Sequence, residues 1–423
     1  MKGDELMEKA EKKTDRQERI PDFSQQTIRE ARIGVIGAGA TGNEVLKNLA
    51  LVGFGYVYCS DMDHISSSNI SRTVLFTEKD IGKRKAVLAA ERFQAMNIDN
   101  GVADYYDGDI CHGLGDGVFR HLDIIIDCVD NDQTRLYVSN ICQLIKKPSI
   151  DIGIGGFDWN VLPTSGQEGC ACFACTLSQR EEKNALSRVR NSCDVTRRKA
   201  SAEKKIPTIV TAAASAGSLA VEKAIKIAFH LRDPENELYK PDYGVMSYYS
   251  SLKNKMSYFD FNIRRDCEHH DSYDAHGGVI ETPISAHWRL KDALAWAKEN
   301  YGGDYEIAVY KDCACADRGF VTKAYCEHCG TEIDVYRPQP LEDDEMLCES
   351  CRSAGHEPTN LSNAVLKCSF SLLDEERIQN MTLLELGIPL LHIVEFSPLD
   401  EEHDTLFLEL TGDIEEVMPH LPR

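Results

Sequence analysis

Apolar runs and amphipathic stretches alternate along the N-terminal part of the chain, and this alternation predicts strands followed by helices. A β-like run from Arg32 to Ile36 leads into a glycine-rich turn, after which apolar residues recur at helical spacing from Asn43 to Leu51. Two further apolar runs, Tyr56 to Ser60 and Ile124 to Ile126, are predicted strands that end at acidic residues. Because strands that alternate with helices build right-handed βαβ units, we expect an α/β fold with a Rossmann-like, mostly parallel sheet and helices on both faces.

The chain changes character after a strand-like segment from Ser149 to Ile154. It is rich in glycine, cysteine and charge as far as Ile206, which predicts functional loops at the edge of the sheet. The stretch Pro207 to Phe229 begins with small residues and continues with an amphipathic pattern, so we expect a helix packed closely against the sheet. A polar break from Asp271 to Gly278 predicts the end of the main domain.

The C-terminal part of the chain has the pattern of a second, smaller domain. His287 to Asn300 is predicted to be a helix, and residues 313–351 form a cysteine-rich insert. The predicted strands are Ala364–Phe370, Leu391–Phe396 and Thr405–Leu410. We therefore expect an N-terminal helical arm over residues 1–30, a main domain over 31–275 and a smaller α+β domain over 276–423.

The charge and cysteine content narrow the class of protein. With 47 Lys and Arg against 69 Asp and Glu, the net charge of −22 disfavours nucleic acid as a partner. No stretch approaches the roughly 20 apolar residues that span a bilayer, and the N-terminus lacks the pattern of a secretory leader. We expect a cytoplasmic protein with no membrane partner, whose 16 cysteines are thiols and metal ligands and not disulfides.

Three glycines lie between the first predicted strand and the first predicted helix, at Gly37, Gly39 and Gly42. Glycine lets the backbone approach phosphate oxygens, and the N-terminus of the following helix supplies N–H donors. Asp61 lies 19 residues past Gly42 at a strand end, where a carboxylate can bind both ribose hydroxyls. These features alone indicate a nucleotide site and favour an NAD-dependent dehydrogenase.

Further motifs argue against a dehydrogenase. They are Asp61-Met62-Asp63, Asn69 with Arg72, Asp80-Ile81-Gly82-Lys83-Arg84-Lys85, and Asp130-Asn131. With these motifs in this order, the sequence resembles the ThiF/MoeB adenylyltransferases and the ubiquitin-like-protein activating enzymes over roughly residues 16–270. The resemblance implies an enzyme that activates a carboxylate with ATP.

The resemblance also implies a role for individual residues. These roles are nucleotide binding by the three glycines and Asp63, ribose binding by Asp61, triphosphate binding by Asn69, Arg72 and Lys85, and Mg²⁺ binding by Asp130. They suit the chemistry, because cations reduce the repulsion between an attacking carboxylate and the α-phosphate, and Mg²⁺ stabilises the departing pyrophosphate. Arg16 resembles the N-terminal arginine that reaches the neighbouring subunit's ATP site in homodimeric relatives. The alternative is a charged helix face, which Arg19 would share.

Cys193 lies in a polar, cation-rich segment between a cysteine pair and the predicted small-residue helix. Nearby cations stabilise a thiolate, which favours attack on an acyl adenylate. Its position resembles that of the crossover-loop cysteine that carries the thioester in activating enzymes. The alternative is a bystander cysteine, since some relatives activate their substrate without a thioester.

Two groups of residues have the spacing of zinc ligands. The pair Cys172 and Cys175 needs two more ligands, which the resemblance places in the segment Cys267-Glu268-His269-His270. Two further CxxC pairs, with 18 residues between them, predict a zinc ribbon in the C-terminal domain. The expected ligands are Cys172, Cys175, Cys267 and His270 for the first zinc, with His269 as the alternative to His270, and Cys326, Cys329, Cys348 and Cys351 for the second. Cys313 and Cys315 are expected not to take part.

The extra C-terminal domain favours protein conjugation over sulfur transfer. We therefore expect a homodimeric enzyme that adenylylates the C-terminal carboxylate of a ubiquitin-like protein, forms a thioester on Cys193 and passes it to a conjugating enzyme. A bacterial conjugation pathway that serves antiviral defence is a hypothesis that follows from the resemblance. Two alternatives stay open: adenylylation of a sulfur-carrier protein or peptide without conjugation, and a non-catalytic nucleotide-binding scaffold.

Overall fold

The computed structural model describes residues 12–190, 207–308, 319–326, 328–338, 347–356 and 364–422. The strands of the main sheet are Arg32–Ile36 (β1), Tyr56–Ser60 (β2), Val102–Tyr106 (β3), Ile124–Asp127 (β4), Ser149–Gly155 (β5), Asp158–Thr164 (β6), Val245–Ser250 (β7) and Lys255–Asp260 (β8). They lie in the order β3-β2-β1-β4-β5-β6-β7-β8. The first five pair in parallel and the last three are antiparallel.

Helices cover both faces of this sheet. They are Gln25–Glu30 (α1), Ala40–Val52 (α2), Lys85–Met96 (α3), Ile110–Gly113 (α4), Gly117–Arg120 (α5), Asp132–Leu144 (α6), Gln179–Arg190 (α7) and Val210–Arg232 (α8). One apolar core packs α2, α3 and α8 against side chains such as Val57, and the other packs α5 and α6 against Tyr56 and Tyr58. Successive residues of β2 thus point to opposite faces, as a strand requires. The predicted Rossmann-like α/β fold is confirmed.

The small residues of α8 allow it to approach α2 closely. A Cβ on Gly217 would lie 2.9 Å from the Cβ of Glu44, so a larger residue there would push the two helices apart. The helix predicted from Pro207 begins at Val210. Its position against the sheet follows from this small-residue surface.

The C-terminal region contains two smaller sheets. The strands are Val279–Thr282 (β9), Tyr305–Ala308 (β10), Phe320–Tyr325 (β11), Glu332–Pro338 (β12), Ala364–Lys367 (β13), Ser369–Phe370 (β14), Ile393–Pro398 (β15) and Leu406–Leu410 (β16). The helices are Leu290–Tyr301 (α9), Glu349–Ser353 (α10), Glu376–Gln379 (α11) and Ile414–Val417 (α12). The sheet orders are β14-β10-β15-β16-β9 and β12-β11-β13. The larger sheet and α9 enclose a core of their own.

Residues near the C-terminus also complete the second core of the main sheet. Leu391 and Met418 are buried in the same apolar cluster as Phe119, and the backbone N–H of Gly117 donates to the carbonyl of Leu391 at 3.0 Å. Glu409 of β16 is fully buried and pairs with Arg120 of α5. The two regions therefore share a core and a buried ion pair.

The sequence predicts loops from residue 155 to Ile206. This prediction is wrong for two segments, because the structure has the strand β6 and the helix α7 there. β6 pairs with β5 along its whole length, from Ser149 opposite Thr164 to Gly155 opposite Asp158. Its apolar residues are buried, so the strand is stabilised by the core that it joins.

Among the described residues, no helix has the length and apolarity needed to cross a bilayer. Every cysteine in the described ranges is a free thiol.

Candidate active site

A glycine loop joins β1 to α2 at the edge of the sheet where the parallel strands end. Gly37 has a φ of +94°, a left-handed conformation that favours glycine. A Cβ on Gly42 would lie 1.9 Å from the Gly37 carbonyl oxygen, so no side chain fits there without moving the backbone. Asn43 holds the loop, because its Nδ2 donates to the carbonyls of Ala38 (2.8 Å) and Gly39 (3.0 Å). Gly39 leaves the N-terminus of α2 without a side-chain cap, which suits an anion.

The loop forms one wall of a cavity of about 770 Å³ at the carboxyl ends of the parallel strands. The predicted nucleotide-binding residues that line it are Gly37, Gly39, Asp61, Asp63, Asn69, Arg72, Lys85 and Asp130. Gly42 packs behind the loop against Gly37. Ligands of open α/β sheets bind at this edge, so the position and the lining both suit a nucleotide.

Asp61 and Lys85 lie side by side in the cavity wall, and both are almost completely buried. Asp61 accepts hydrogen bonds from the backbone N–H groups of Ala38 (2.7 Å) and Asp63 (2.8 Å), which fix its carboxylate. The Lys85 Nζ lies 2.7 Å from Asp63 Oδ2 and 3.9 Å from Asp61 Oδ1. Burial raises the pKa of Asp61, and the ammonium of Lys85 opposes this rise. The pair presents an oriented acceptor beside a cation.

Asn69 and Arg72 lie on the segment between β2 and α3. The Nη1 of Arg72 donates to the carbonyl of Ser68 at 2.6 Å, and Oδ1 of Asn69 accepts from the backbone N–H of Ser66 at 2.8 Å. Both side chains are therefore oriented by their own segment. The half-buried guanidinium of Arg72 adds a second cation to the cavity lining.

Asp130 lies just after β4, where its exposed side chain lines the cavity. The next residue, Asn131, begins α6 by accepting a hydrogen bond from the backbone N–H of Thr134 at 2.8 Å. This cap fixes the turn that carries Asp130. An accessible carboxylate of this kind is a ligand that Mg²⁺ prefers, so Asp130 fits the metal expected there.

Arg135 also lines the cavity, and the sequence interpretation missed it. Its Nε donates to Asp151 Oδ1 at 2.7 Å, and its guanidinium lies 4.4 Å from the ring centre of Phe173. Asp151 in turn lies near Asp127, whose pKa is raised first by burial and then by the negative charge of Asp151. The signal that could have identified Arg135 is its spacing from Asn131, because residues four apart share one face of a helix.

The structure does not place the other two residues predicted to be catalytic, Arg16 and Cys193, in the cavity lining: Arg16 is described and lies elsewhere, and nothing is described for Cys193. Arg16 is exposed at the start of a short 3-10 turn. Cys193 lies outside the described residues. After this segment, the carbonyl of Pro207 accepts from the backbone N–H of Gly156 at 2.6 Å, and Thr208 lines the cavity. One end of the Cys193 segment is thus joined directly to the cavity wall.

The structure brings together the four residues predicted to bind the first zinc. The ligand atoms of Cys172, Cys175, Cys267 and His270 all lie within 4.8 Å of one another. Nε2 of His270 lies 3.1 Å from the Cys175 sulfur. His269 instead has Nε2 placed 2.9 Å from Glu182 Oε1 and Nδ1 placed 3.2 Å from Asn140 Oδ1. Of the two histidines, His270 is therefore the one that can complete a tetrahedral site.

The four cysteines of the predicted zinc ribbon also converge. The sulfur atoms of Cys326, Cys329, Cys348 and Cys351 lie within 4.8 Å of one another. The small apolar core around them contains Leu347 and little else among the described residues. A bound zinc ion would stabilise such a small unit. Cys313 and Cys315 lie outside the described residues.

Comparison with known proteins places the main domain in a family. The ThiF family profile matches residues 14–268. A sulfur carrier protein adenylyltransferase of Thermus thermophilus is 30% identical over 214 residues, which cover 50% of this chain and 73% of that protein. A ubiquitin-activating enzyme E1-like protein of Saccharomyces cerevisiae is 31% identical over 175 residues, which cover 41% of this chain. This chain spans only 27% of that yeast protein.

Solved structures show a weaker likeness. E. coli MccB with ATP is 20% identical, with a TM-score of 0.45 and coverage of 58% of this chain and 68% of that chain. The family match extends over more than half of the chain and includes the glycine loop, the whole set of cavity charges and the first metal cluster up to Cys267. The chain therefore belongs to the ThiF family.

Proposed function

We propose that this chain is an ATP-dependent activating enzyme that adenylylates the C-terminal carboxylate of a ubiquitin-like protein, forms a thioester on Cys193 and transfers it to a conjugating enzyme. The observation that carries the proposal is that one cavity, next to a glycine loop and a helix N-terminus, is lined by Asp61, Arg72, Lys85 and Asp130. This set provides a ribose acceptor, two cations for phosphates and a carboxylate for Mg²⁺.

The first step joins the substrate carboxylate to AMP. A carboxylate oxygen attacks the α-phosphorus of ATP, the bond to the β-phosphate oxygen breaks, and pyrophosphate leaves with the bonding electrons. Arg72 and Lys85 reduce the charge repulsion along this path, while Asp61 holds the ribose in place. Mg²⁺, when held by Asp130, supplies positive charge to the phosphates.

The second step transfers the acyl group to sulfur. The thiol of Cys193 loses its proton to solvent, and the resulting thiolate attacks the acyl carbon. The bond from this carbon to the phosphate oxygen breaks, and AMP leaves. The position of Thr208 in the cavity wall supports this step, because the segment that contains Cys193 ends beside the cavity.

A protein substrate is supported by the apolar surface beyond the cavity. Phe157, Ile209 and Val210 are each more than a third exposed, and they are close in sequence to lining residues of the cavity. Farther along the sheet, β8 exposes Tyr258 on one face and Phe259 on the other. β8 lies three strands from β5, which is about 14 Å at about 4.8 Å per strand. An extended tail of about five residues can span this distance, so a folded protein on β8 could place its C-terminus in the cavity.

The same family favours a second candidate function, the activation of a sulfur-carrier protein without conjugation. The relative from Thermus thermophilus supports it, because the match covers 73% of that protein. In this case the acyl adenylate would be attacked by a sulfur donor, and Cys193 would be a bystander or carry a persulfide. Both functions share the first step.

We further propose a cytoplasmic homodimer in which Arg16 of each subunit reaches the partner's cavity. We also propose two structural zinc ions, one in the cluster with His270 and one in the cluster of four cysteines. The exposed position of Arg16 supports the first point. The convergence of the ligand atoms supports the second.

ATP–pyrophosphate exchange with a small ubiquitin-like protein ending in Gly-Gly tests the proposal. We expect exchange in the wild type and in Cys193→Ala, but a loss of at least 100-fold in Asp130→Ala. A reducible protein adduct should form in the wild type only. Undiminished exchange in Asp130→Ala would refute the mechanism, and a thiocarboxylate product would establish the sulfur-carrier function instead.

A further inference from the structure

We propose that Asn160 of β6 binds a peptide group in the tail of the protein substrate, shortly before the terminal carboxylate that is adenylylated. The inference rests on the proposed function and assigns a residue to its substrate. Asn160 is half-buried beside the cavity and belongs to none of the motifs that identify the nucleotide site.

The side-chain amide of Asn160 lies over Gly153, at the edge of the cavity. The two residues are directly opposite each other in the pair of β5 and β6, so they face the same side of the sheet. A Cβ on Gly153 would lie 2.7 Å from Nδ2 and 2.9 Å from Oδ1 of Asn160. The amide therefore occupies the space that a side chain at position 153 would fill. Because Gly153 lines the cavity, a tail that enters from β6 passes this amide.

The oxygen of this amide has no structural partner. Oδ1 of Asn160 is buried and accepts no hydrogen bond from the described residues. A buried acceptor without a donor costs folding free energy, and such exceptions to local rules are typical of functional sites. The last side-chain torsion of asparagine is soft, so the amide can turn towards a ligand. It offers one acceptor and one donor, which match the N–H and C=O groups of an extended peptide.

One face of the antiparallel strands leads from the edge of the sheet to Asn160. Tyr248 lies opposite Asn160 on β7, and its ring centre lies 6.3 Å from that of Phe259 on β8. The hydroxyl of Tyr248 donates to Oδ2 of Asp158 at 2.8 Å, which holds the ring in place. Phe259, Tyr248 and Asn160 thus follow one another across the strands towards Gly153. This order suits the tail of a protein that is bound at β8.

The spacing along β5 indicates which peptide group meets Asn160. Asp151, which holds Arg135 in the cavity lining, precedes Gly153 by two residues and faces the same side of the sheet. Two residues of a strand span about 6.7 Å, and two residues of an extended tail span about the same distance. A terminal carboxylate that lies level with Arg135 therefore places the peptide group two residues earlier beside Asn160.

Replacement of Asn160 by leucine separates a binding role from a structural one. Leucine has nearly the same size and removes both polar atoms, so no buried acceptor is left without a donor. We expect Asn160→Leu to be at least as stable as the wild type in urea and to bind Mg²⁺–AMPCPP, an ATP analogue, equally well. Asn48→Leu is the matched control. Asn48 lies on α2 at the opposite face of the sheet, outside the cavity lining, and donates to the Ser218 hydroxyl at 3.3 Å.

The probe is the peptide Ala-Ala-Ala-Gly-Gly with fluorescein at its N-terminus, and its binding to the full chain with Mg²⁺–AMPCPP is measured by fluorescence anisotropy. We expect Asn160→Leu to bind about tenfold more weakly than the wild type, the loss expected for one or two hydrogen bonds. Asn48→Leu should bind like the wild type. Equal binding by Asn160→Leu and the wild type would overturn the inference, and so would a wild type that does not bind. A loss accompanied by a lower urea midpoint or weaker AMPCPP binding would overturn it too, because a structural residue gives that pattern.

Ester analogues of the same peptide test the contact itself. Replacement of one peptide bond by an ester removes one N–H donor. At the bond between the last alanine and the first glycine, we expect the ester to weaken binding by the wild type about three- to tenfold. The same ester should cost Asn160→Leu nothing further, because the two changes remove one contact. If the ester weakens binding equally in both proteins, Asn160 does not make this contact.

ATP–pyrophosphate exchange separates this inference from the proposed function. With a protein substrate ending in Gly-Gly, we expect Asn160→Leu to have a KM for that protein about tenfold higher than the wild type and an unchanged KM for ATP. Exchange with equal KM values for the protein would overturn the inference and retain the proposed function. A wild type without exchange, whose peptide binding still depends on Asn160, would refute the adenylation and retain the binding site.

Discussion

Replacement of Lys85 by methionine should separate the stability of the cavity from its chemistry. Methionine keeps most of the buried alkyl chain and removes only the charge, so packing around α3 is retained. The change leaves the carboxylate of Asp61 buried without its neighbouring cation, while Asp63 can turn towards solvent. We expect a less stable protein that has also lost its adenylation activity.

The size of both effects follows from the geometry. A pair of unit charges 3.9 Å apart is worth about 4 kcal/mol at an effective dielectric constant of about 20. Release of the ammonium from burial offsets part of this, and Asp63, which is 59% exposed, adds at most about 1 kcal/mol. We expect Lys85→Met to lower the free energy of unfolding by about 1–3 kcal/mol. Loss of the cation that we propose faces the phosphates should slow ATP–pyrophosphate exchange by about 100- to 1,000-fold.

Urea unfolding at pH 7 and pyrophosphate exchange measure the two effects separately. Asp61→Asn removes the buried charge, so the double variant Lys85→Met/Asp61→Asn should be more stable than Lys85→Met while its exchange stays low. Exchange in Lys85→Met within tenfold of the wild type would refute the catalytic part of this reasoning. A double variant no more stable than Lys85→Met would refute the electrostatic part.

Two further predictions concern the same cavity. Gly42→Ala should lower the free energy of unfolding by about 1–3 kcal/mol and abolish ATP binding in calorimetry, because its Cβ would meet the Gly37 carbonyl. Gly39→Ala, whose Cβ has open space, should unfold like the wild type, and equal destabilisation of the two would contradict the argument. Because burial raises the pKa of Asp61, its ionisation costs folding free energy. The ATP-free protein should therefore lose stability as pH rises from about 4 through the folded pKa, while ATP affinity increases. Urea unfolding midpoints and ATP titrations over this pH range measure the two trends. If stability depends on pH in the same way in Asp61→Asn as in the wild type, Asp61 is excluded as the cause.

Four of the five parallel strands could be predicted, because β1, β2, β4 and β5 are short apolar runs that end at glycine or aspartate. β3 was not predicted, since Asp104 interrupts its apolar residues. The antiparallel half could not be predicted either. β6 carries Asn160 and Pro163 among its apolar residues, and β8 is largely exposed, so neither has the pattern of a buried strand. These strands form because β5 offers them an edge, which is a property of the assembled sheet.

The residues of the candidate site also differ in how far they could be predicted from the sequence. Asp61, Arg72, Lys85 and Asp130 could be identified because each belongs to a local motif. Arg135 belongs to no such motif. Its one local signal is its spacing from Asn131, and the orientation of its side chain depends on Asp151 and on the ring of Phe173, which come from other elements.

The choice between two candidate metal ligands, His269 and His270, shows a similar limit of prediction from sequence. His269 and His270 are adjacent, and their spacing from Cys267 does not separate them. The position of Glu182 across the fold does, because it engages the ring of His269.

The core that the C-terminal region shares with the main sheet constrains how the protein is made. While the chain is being translated, Phe119 and its neighbours are synthesised some 300 residues before Met418, which packs in the same cluster. Until that methionine leaves the ribosome, one side of the sheet has an unfilled apolar surface. The core around Phe119 can therefore be completed only after Met418 has been synthesised, and a chain that stops before this methionine leaves the apolar surface uncovered.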